Sequence, residues 1–277
     1  QKMYETMDFY VLYNRFLKKE GYQTLPRRPL EKRKLRYEDV YPVLYLKYRL
    51  SRQAERSNIK HLVIDEMQDY SRLQYLIIRR MFSCKMTILG DRAQTMADQQ
   101  QDVLQFLPGI FGKDLRRIEM RKSYRNTVEI ASYAANLIGV TDLELFERHG
   151  MPVLERDVTD LEAALREAVD TLFSDEKTYE TAAVIVPDEK TAERAYLILR
   201  EILAEKDFDC GKRLSWLNRD SSSFKKGLTV TTFYLAKGLE FDQVFSIFPK
   251  EEKREMMMQA QYIAATRALH ELRVYHI

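Results

Sequence analysis

Short apolar runs alternate along this chain with longer stretches whose apolar residues recur at helical spacing. The run His61–Ile64 (HLVI) is of the kind expected for a strand buried on both faces of a parallel sheet. In the stretch 71–82, apolar residues lie three and four positions apart, which predicts an amphipathic helix that packs back on such a sheet. The run 86–89 (MTIL) predicts a second buried strand. This part of the chain therefore indicates a strand–helix–strand unit.

The same alternation extends over the rest of the chain and predicts its fold class. Helical spacing marks 4–20 and 37–57, and the later elements are a strand ending near 123–126, a helix over 127–138, a strand near 152–154, a helix over 161–173, a strand over 182–186, a helix over 192–203, strands over 228–233 and 244–248, a helix over 251–269 and a strand over 272–277. Such alternation predicts an α/β fold with parallel, doubly wound sheets.

A helical pattern that starts at Asp102 is interrupted by Pro108, Gly109 and Gly112. Because proline and glycine both disfavour a helix interior, we place a domain boundary there. The predicted domains are 1–112 and 113–277. A chain of 277 residues is long enough to give each of them its own core.

Composition and charge are those of an ordinary soluble globular protein. Hydrophobic residues make up 45% and charged residues 31%, and the formal net charge is +3. A charge this close to neutral neither requires nor excludes a nucleic-acid partner, because a basic groove can be local. No apolar run is long enough to span a membrane, and the N-terminus lacks a signal-peptide pattern, so we expect no membrane partner.

Cysteine usage predicts a reduced, cytoplasmic protein without structural zinc. Cys84 and Cys210 lie far apart, with no CxxC or Cys/His cluster. The chain begins at Gln1, directly in a helical pattern, so we expect a piece of a longer protein. The basic stretch 27–36 predicts a solvated loop; a phosphate-backbone contact or a protein interface is the alternative.

Two adjacent carboxylates follow the first predicted strand. Asp65 and Glu66 lie at its carboxyl end, where open α/β sheets bind their ligands. A magnesium nucleotide needs one carboxylate for the cation and a second to orient or deprotonate the attacking water. The alternative is that the pair merely ends a strand and caps the helix that starts near Ser71.

Five short motifs stand in order at predicted strand ends and helix starts. They are DEMQD at 65–69, GDRAQ at 90–94, SYRN at 123–126, TFYLAKGLEFD at 232–242 and YIAATRA at 262–268. In this order and spacing they resemble motifs II to VI of the superfamily 1 helicases of the UvrD/Rep type, over essentially the whole chain. The resemblance implies two RecA-like domains of the P-loop NTPase fold, ATP and Mg²⁺ in the cleft between them, and DNA, single-stranded or duplex, as partner.

The resemblance also implies roles for individual residues. Asp65 is similar to the Mg²⁺ carboxylate, Glu66 to the base for the attacking water, Gln94 to the γ-phosphate sensor, Tyr124 to the aromatic that stacks on adenine, Arg125 to the arginine that contacts the γ-phosphate, Lys237 and Gly238 to nucleotide-binding residues, Glu240 to the residue that bonds the ribose, and Arg267 to the arginine finger. Paired guanidinium donors suit the charge that phosphoryl transfer spreads over the equatorial oxygens.

Finer features resemble the HelD (helicase-IV-like) branch, which acts on RNA polymerase. They are DEMQDYSRLQ, KSYRN, YLAKGLEFD and TRALHEL, and an interval of 127–236 that is too short for the large extra domain of UvrD and Rep. The predicted function is the C-terminal part of an ATP-dependent helicase or translocase that remodels nucleic acid or RNA polymerase complexes. A fragment of a UvrD/Rep-type 3′→5′ DNA helicase and a non-catalytic interaction module are the alternatives.

The sequence departs from the family pattern in three places. None of the nine glycines belongs to a GxxxxGK[ST] loop, which would cradle the phosphates. We therefore expect this chain alone to bind ATP weakly and to hydrolyse it negligibly, although the resemblance implies that its parent is an ATP hydrolase. The run 95–101 is polar where DNA translocases carry base-stacking aromatics, and Tyr234 replaces the usual His of motif V. Both changes count against strand translocation, since stacking is worth about 1–3 kcal/mol per base.

Overall fold

The computed structural model describes residues 8–51, 58–91, 94, 102–120, 122–141, 144–174, 179–206, 210–221, 226–250 and 255–277. The chain divides into two compact units, Gln1–Arg117 (unit 1) and Ile118–Ile277 (unit 2). The assignment of 1–112 and 113–277 to two RecA-like domains stays a prediction. No helix in the described ranges is long and apolar enough to cross a membrane.

Unit 1 contains four helices and two strands in its described ranges. They are α1 (Phe9–Lys19), α2 (Tyr37–Leu50), β1 (His61–Ile64), α3 (Arg72–Met81), β2 (Lys85–Ile88) and α4 (Val103–Phe111), with short 3₁₀ turns at Leu30–Lys32, Met67–Asp69 and Gly112–Asp114. The two strands pair in parallel, with Ile64 beside Ile88. The sequence predicted each of these helices and strands, with differences at the ends.

Buried polar contacts hold α1 and α2 together. Asp39 of α2 is buried and accepts hydrogen bonds from the Tyr13 hydroxyl at 2.8 Å and from Arg36 Nε at 2.6 Å. The hydrogen bond from Arg36 lowers the pKa of Asp39, while burial and that same carboxylate raise the pKa of Tyr13 to about 12. Arg33 pairs with Asp8, the N-cap of α1, at 2.7 Å. The basic stretch therefore supplies two arginines to the structure of unit 1.

The prediction that β1 and β2 are buried on both faces is wrong. Ile64 packs in a core with Tyr75, Val103 and Leu107, but Val63 is 60% exposed. Along β2 no residue is fully buried. The reason is that β1 pairs only with β2 among the described residues, and the described helices cover one face of this pair. An apolar run shows that the side chains of a strand are apolar. It does not show whether other elements cover one face of the strand or both.

Helix α4 continues through Pro108 and Gly109, where the sequence predicted a break. Proline removes one hydrogen bond from a helix interior, so packing must offset that loss. Leu107 belongs to the Tyr75 core, and the Phe111 ring lies 6.3 Å from the Tyr75 ring. The helix ends at Gly112, whose φ of 75° suits glycine.

Unit 2 is built on one six-stranded sheet with helices on both faces. Its elements are β3 (Lys122–Ser123), α5 (Val128–Leu137), β4 (Glu144–Leu145), β5 (Leu154–Asp157), α6 (Leu161–Ser174), β6 (Thr181–Val186), α7 (Glu189–Ala204), α8 (Cys210–Arg213), β7 (Leu214–Trp216), β8 (Gly227–Thr232), β9 (Phe241–Phe248), α9 (Glu255–Thr266) and β10 (Ala268–His276). The strand order is β5-β10-β9-β6-β8-β7, and every pair is parallel. The predicted α/β fold class is confirmed.

Both faces of this sheet are covered. Val184 and Val186 of β6 belong to the core that α6 and α7 form, whereas the alternate residues Ala183 and Ile185 are equally buried outside that cluster. Helices α5 and α9 pack on each other and against β9 and β10. The sequence placed the end of α9 three residues too late, because Arg267 O already accepts from Phe241 N at 2.9 Å and starts the β9–β10 ladder.

Candidate functional site

The candidate residues of unit 1 lie where the chain leaves β1. Asp65 is exposed, and its Oδ1 accepts a hydrogen bond from Glu66 N at 2.8 Å. Glu66 has φ 51° and ψ 52°, a left-handed conformation that no other non-glycine residue adopts in the described ranges. Side chains other than glycine hold such a backbone only when their surroundings enforce it, and such strain gathers at functional sites.

Gln68 is a residue of this site that motif comparison alone did not single out. It is 5% exposed, and its amide Nε2 donates to Glu66 Oε2 at 2.5 Å. Its Oε1 accepts from Asp91 N at 3.2 Å. A Cβ on Gly90 would lie only 2.6 Å from Met67 N. Glycine is therefore required at position 90, because the loop after β2 passes very close to the backbone of the loop after β1.

Gln94 completes this set. Its Nε2 donates to Asp91 Oδ2 at 2.9 Å, and its backbone N donates to Asp91 O at 3.1 Å. The side-chain Oε1 is buried and has no hydrogen-bond partner among the residues that the structure describes. An acceptor of this kind suits an amide that contacts a bound ligand.

These residues fit one part of a magnesium nucleotide site. Asp65 supplies the hard oxygen ligand that Mg²⁺ prefers, and Glu66 is a second carboxylate beside it. The described ranges contain no cluster of three or more metal-ligating side chains. Mg²⁺ usually combines one or two carboxylates with phosphate oxygens and water. Asp65 and Glu66 therefore suit a Mg²⁺ ion that is bound together with a nucleotide. The sequence has no loop of the GxxxxGK[ST] type to hold the phosphates.

In unit 2 the structure joins Arg125 to Glu240. Arg125 Nε lies 2.6 Å from Glu240 Oε1, and the two side chains are 45% and 42% exposed. Both groups therefore remain accessible to a ligand while they hold each other in place. Sequence comparison assigned these residues to different motifs, and the contact brings the two motifs to one point.

Asn126 joins the same loop to the end of α9. It is 6% exposed, and its Nδ2 donates to Thr266 O at 3.2 Å and to Ala268 O at 2.6 Å. These two carbonyls flank Arg267. Arg267 is itself only 2% exposed, and its guanidinium donates to Leu239 O at 3.4 Å. The loops that carry Arg125, Glu240 and Arg267 thus form one hydrogen-bonded assembly.

Arg148 lies outside all five motifs and strengthens this assembly. Its Nη2 donates to Leu269 O at 2.6 Å and also to Arg125 O. It holds the loop before α5 against the start of β10. No local pattern in the sequence reveals this role, because both partners are distant along the chain.

The next residues anchor the Arg148 segment to α5. Glu129 accepts from Gly150 N at 2.9 Å and contacts His149 Nδ1 at 2.9 Å. Burial would raise the pKa of Glu129, but the hydrogen bonds from His149 and from backbone N–H groups outweigh it and lower that pKa to about 2. Glu129 therefore stays charged at neutral pH. A cleft of about 350 Å³ opens between this segment and His270.

Motif V forms a tight turn between β8 and β9. Lys237 and Gly238 lie in this turn, where Leu239 N donates to Ala236 O at 3.0 Å. Gly238 has φ 77°, a conformation that a side chain would strain. The turn places Glu240 directly before β9, beside Arg125. The structure thus groups the predicted site residues into two sets: Asp65, Glu66 and Gln94 in unit 1, and Tyr124, Arg125, Lys237, Gly238, Glu240 and Arg267 in unit 2.

Comparison with known proteins gives matches at both ends of the chain. Residues 1–96 match the family model of the UvrD/REP helicase N-terminal domain, and residues 227–275 match that of the UvrD-like helicase C-terminal domain. The chain therefore carries segments similar to both parts of a UvrD-like helicase. No curated protein matches it.

The solved structures that this chain matches include helicases. The C-terminal domain of a possible DNA helicase from Lactobacillus plantarum WCFS1 is 24% identical, with a TM-score of 0.44, over 56% of this chain and 88% of that one. The PRRSV helicase is 16% identical, with a TM-score of 0.42, over 78% and 35%. The arterivirus nonstructural protein 10 helicase, solved with DNA, is 14% identical, with a TM-score of 0.41, over 78% and 39%. This chain thus spans little more than a third of the two viral helicases.

Proposed function

We propose that this chain, with its UvrD-like N-terminal and C-terminal segments, is the C-terminal part of an ATP-dependent superfamily 1 helicase or translocase. The observation that carries the proposal is the hydrogen-bonded assembly of unit 2. Three motifs from distant parts of the sequence meet there around an accessible arginine, as a phosphoryl-transfer site requires.

In this proposal the unit 1 residues act on the cation and on water. Asp65 would hold Mg²⁺, which when bound neutralises charge on the phosphates. Glu66 would accept the proton of the attacking water, with its carboxylate positioned by the Gln68 amide. Gln94 would sense the γ-phosphate, and its buried Oε1 supports a ligand contact there.

The unit 2 residues would bind the nucleotide and stabilise developing charge. Tyr124 would stack on adenine, and Glu240 would accept from a ribose hydroxyl. Arg125 would meet the charge on the transferred phosphoryl group, and Arg267 would do so after its guanidinium leaves Leu239 O. Lys237 and Gly238 would shape the turn beside them. Arg125 is the more accessible of the two arginines, at 45% against 2% exposure.

For the finer identity we propose the HelD branch, with RNA polymerase as the partner that the parent remodels in the cytoplasm. The support is the set of HelD-like motifs and the short interval 127–236. The polar run 95–101, which supports the same choice, lies outside the described residues. A UvrD/Rep-type 3′→5′ helicase that acts on DNA is the second candidate, because both family matches are to UvrD-like helicase domains. The missing phosphate loop would favour a non-catalytic module if the natural protein also lacks it.

The test of this function is ATP turnover by the complete natural protein. Arg125→Ala should lower kcat on the order of 10³-fold, as loss of a charge-stabilising arginine does in related enzymes. Arg156→Ala is the matched control, because Arg156 forms a comparable surface pair with Glu167 at 3.3 Å and is 55% exposed. It should leave kcat within about twofold. Equal turnover in both variants would refute the proposal.

A further inference from the structure

Three side chains form a cluster that includes Tyr124, the residue directly before Arg125. The ring centroids of Tyr124 and Phe146 lie 5.4 Å apart, with the planes tilted by 38°. The Lys122 ammonium lies over both rings, 5.5 Å from the Tyr124 centroid and 5.8 Å from that of Phe146. Because one cation faces both rings, the two ring faces open toward a common space.

The cluster is open to solvent. Tyr124 is 59% exposed and Phe146 is 44% exposed, even though the two rings touch each other. Two aromatic rings that contact each other and stay this exposed leave apolar area without cover, which is typical of binding surfaces. Lys122 is also exposed, so its flexible ammonium can leave the rings without breaking a buried contact.

The backbone that carries the two rings is fixed. Strands β3 and β4 pair in parallel, with Ser123 beside Leu145, and Phe146 N donates to Ser123 O at 3.1 Å. Arg148 holds the same backbone through Arg125 O. The rings are therefore presented as one preorganised surface.

We propose that Phe146 is the second ring of a nucleobase-binding surface with Tyr124, and that this surface takes the purine of a mononucleotide. The proposal rests on the function proposed above and extends it to a residue outside the motifs. A purine face is large enough to cover both rings, and stacking on aromatic rings needs no hydrogen bond. Arg125 is the next residue after Tyr124 and pairs with Glu240, so the same loop also carries a cation suited to phosphate and its carboxylate partner.

In this proposal Lys122 covers the two rings until a base binds. Its ammonium occupies the space in front of the rings in the absence of a base and moves out when a base stacks there. The competing explanation is a closed local cluster, in which Lys122 covers the rings permanently and no ligand enters. The two explanations differ in whether Phe146 can be labelled by a nucleotide.

The experiment is photolabelling of the complete natural protein with 8-azido-AMP, followed by trypsin and mass spectrometry, because we expect this chain alone to bind nucleotide weakly. Tryptic cleavage separates the two rings, because Tyr124 falls in peptide 123–125 and Phe146 in peptide 126–148. We expect adducts on both peptides, with that on 126–148 at Phe146. Phe146→Leu should reduce total labelling at least about fivefold, as expected for loss of a stacking ring, whereas Phe146→Tyr should retain it.

Phe173→Leu is the matched control. Phe173 is 47% exposed and lies 5.5 Å below the Lys206 ammonium, so it reproduces the exposure and the cation contact of Phe146 away from the site. Its substitution should leave labelling unchanged. A uridine photoprobe should label the Phe146 peptide more weakly, and equally strong labelling would overturn the purine assignment.

The outcomes separate this inference from the proposed function. If Tyr124→Leu abolishes labelling while Phe146→Leu does not, the second ring is refuted and the function stands. Labelling of Phe146 only by an azido-oligonucleotide would refute a mononucleotide surface, and absence of any adduct on wild-type Phe146 would establish the closed cluster. Failure of the proposed function would appear instead as unchanged turnover in Arg125→Ala.

Discussion

Glu66 holds its left-handed backbone between β1 and the turn Met67–Asp69. Such a conformation costs about 1–3 kcal/mol for a residue other than glycine. The neighbouring contacts offset that cost: Met67 N donates to Leu89 O at 2.8 Å, and the Gln68 amide donates to the Glu66 carboxylate. The fold thus keeps a glutamate where glycine would fit more easily, which supports a chemical role for its carboxylate.

This argument predicts different effects of glycine at two adjacent positions. Glu66→Gly relieves the strained backbone, which offsets the lost hydrogen bond from the Gln68 amide and the added flexibility of the unfolded chain, so the free energy of unfolding of unit 1 should stay within about 0.5 kcal/mol. Asp65→Gly gains no such relief and loses the hydrogen bond to Glu66 N, so it should cost about 1–2 kcal/mol. Thermal and denaturant unfolding of both variants measure the difference. Equal destabilisation would show that Glu66 is not strained.

At the scale of residues, motif order in the sequence identified individual candidate residues, and their roles stay predictions. Arg125 and Glu240 were assigned from separate motifs, and the structure joins them in one ion pair. Arg148 and Phe146 could not be found in this way, because they lie between motifs and act through partners that only the fold brings near. Arg148 and Phe146 are identified by their contacts in the folded protein, and these contacts cannot be derived from one sequence.

At the scale of elements, the hydrophobic pattern predicted whether a segment is a helix or a strand better than it predicted how buried that element is or where it ends. The strand β1 was found, but the exposure of Val63 depends on which face of the strand pair the helices cover. Helix α4 runs past Pro108, since contacts of its apolar residues with the Tyr75 core compensate for the lost hydrogen bond. Strands β4 and β7 are too short to show a period.

Two glycines at the end of α4 allow a sharp test of these local rules. Gly109 lies inside the helix, and Gly112 ends it with φ 75°; a Cβ at either position would have nothing within 4 Å. Gly109→Ala should therefore raise the free energy of unfolding of unit 1 by about 1 kcal/mol. Gly112→Ala should lower it by about 1 kcal/mol, because alanine disfavours positive φ.

Urea unfolding of both variants, followed by helical circular dichroism, gives the comparison. Because neither new methyl group meets a neighbour, packing cannot explain a difference between the two variants. If both substitutions stabilised unit 1, the helix would extend beyond Phe111, and its observed end at Gly112 would be wrong.

At the scale of the whole molecule, candidate residues lie at both ends of strands. Asp65 and Glu66 follow β1, and the loop with Arg125 follows β3, whereas Glu240 directly precedes β9 and Arg267 directly precedes β10. The residues after β1 and β3 therefore lie at carboxyl ends, as is common for ligand-binding residues of open α/β sheets, and Glu240 and Arg267 lie at amino ends. The first arrangement could be expected from sequence, and the second became clear only once the sheet register was known.

The proposed HelD identity makes a prediction about the binding partner of the complete natural protein. If the parent is HelD-like, its ATP hydrolysis drives the remodelling of a protein complex. RNA polymerase should then be captured with it from lysate at physiological salt. Its ATPase should respond weakly to single-stranded DNA, because a path without stacking aromatics relies on screened phosphate contacts.

The measurement pairs an affinity capture with an ATPase titration by oligonucleotide, on the complete natural protein. Arg125→Ala serves as the control, since it should lose turnover through its missing guanidinium and should still capture the polymerase. Strong stimulation by DNA, strand separation and no polymerase in the eluate would assign the parent to the UvrD/Rep-type DNA helicases instead. The short interval 127–236 would then need another explanation, because that class places a large domain there.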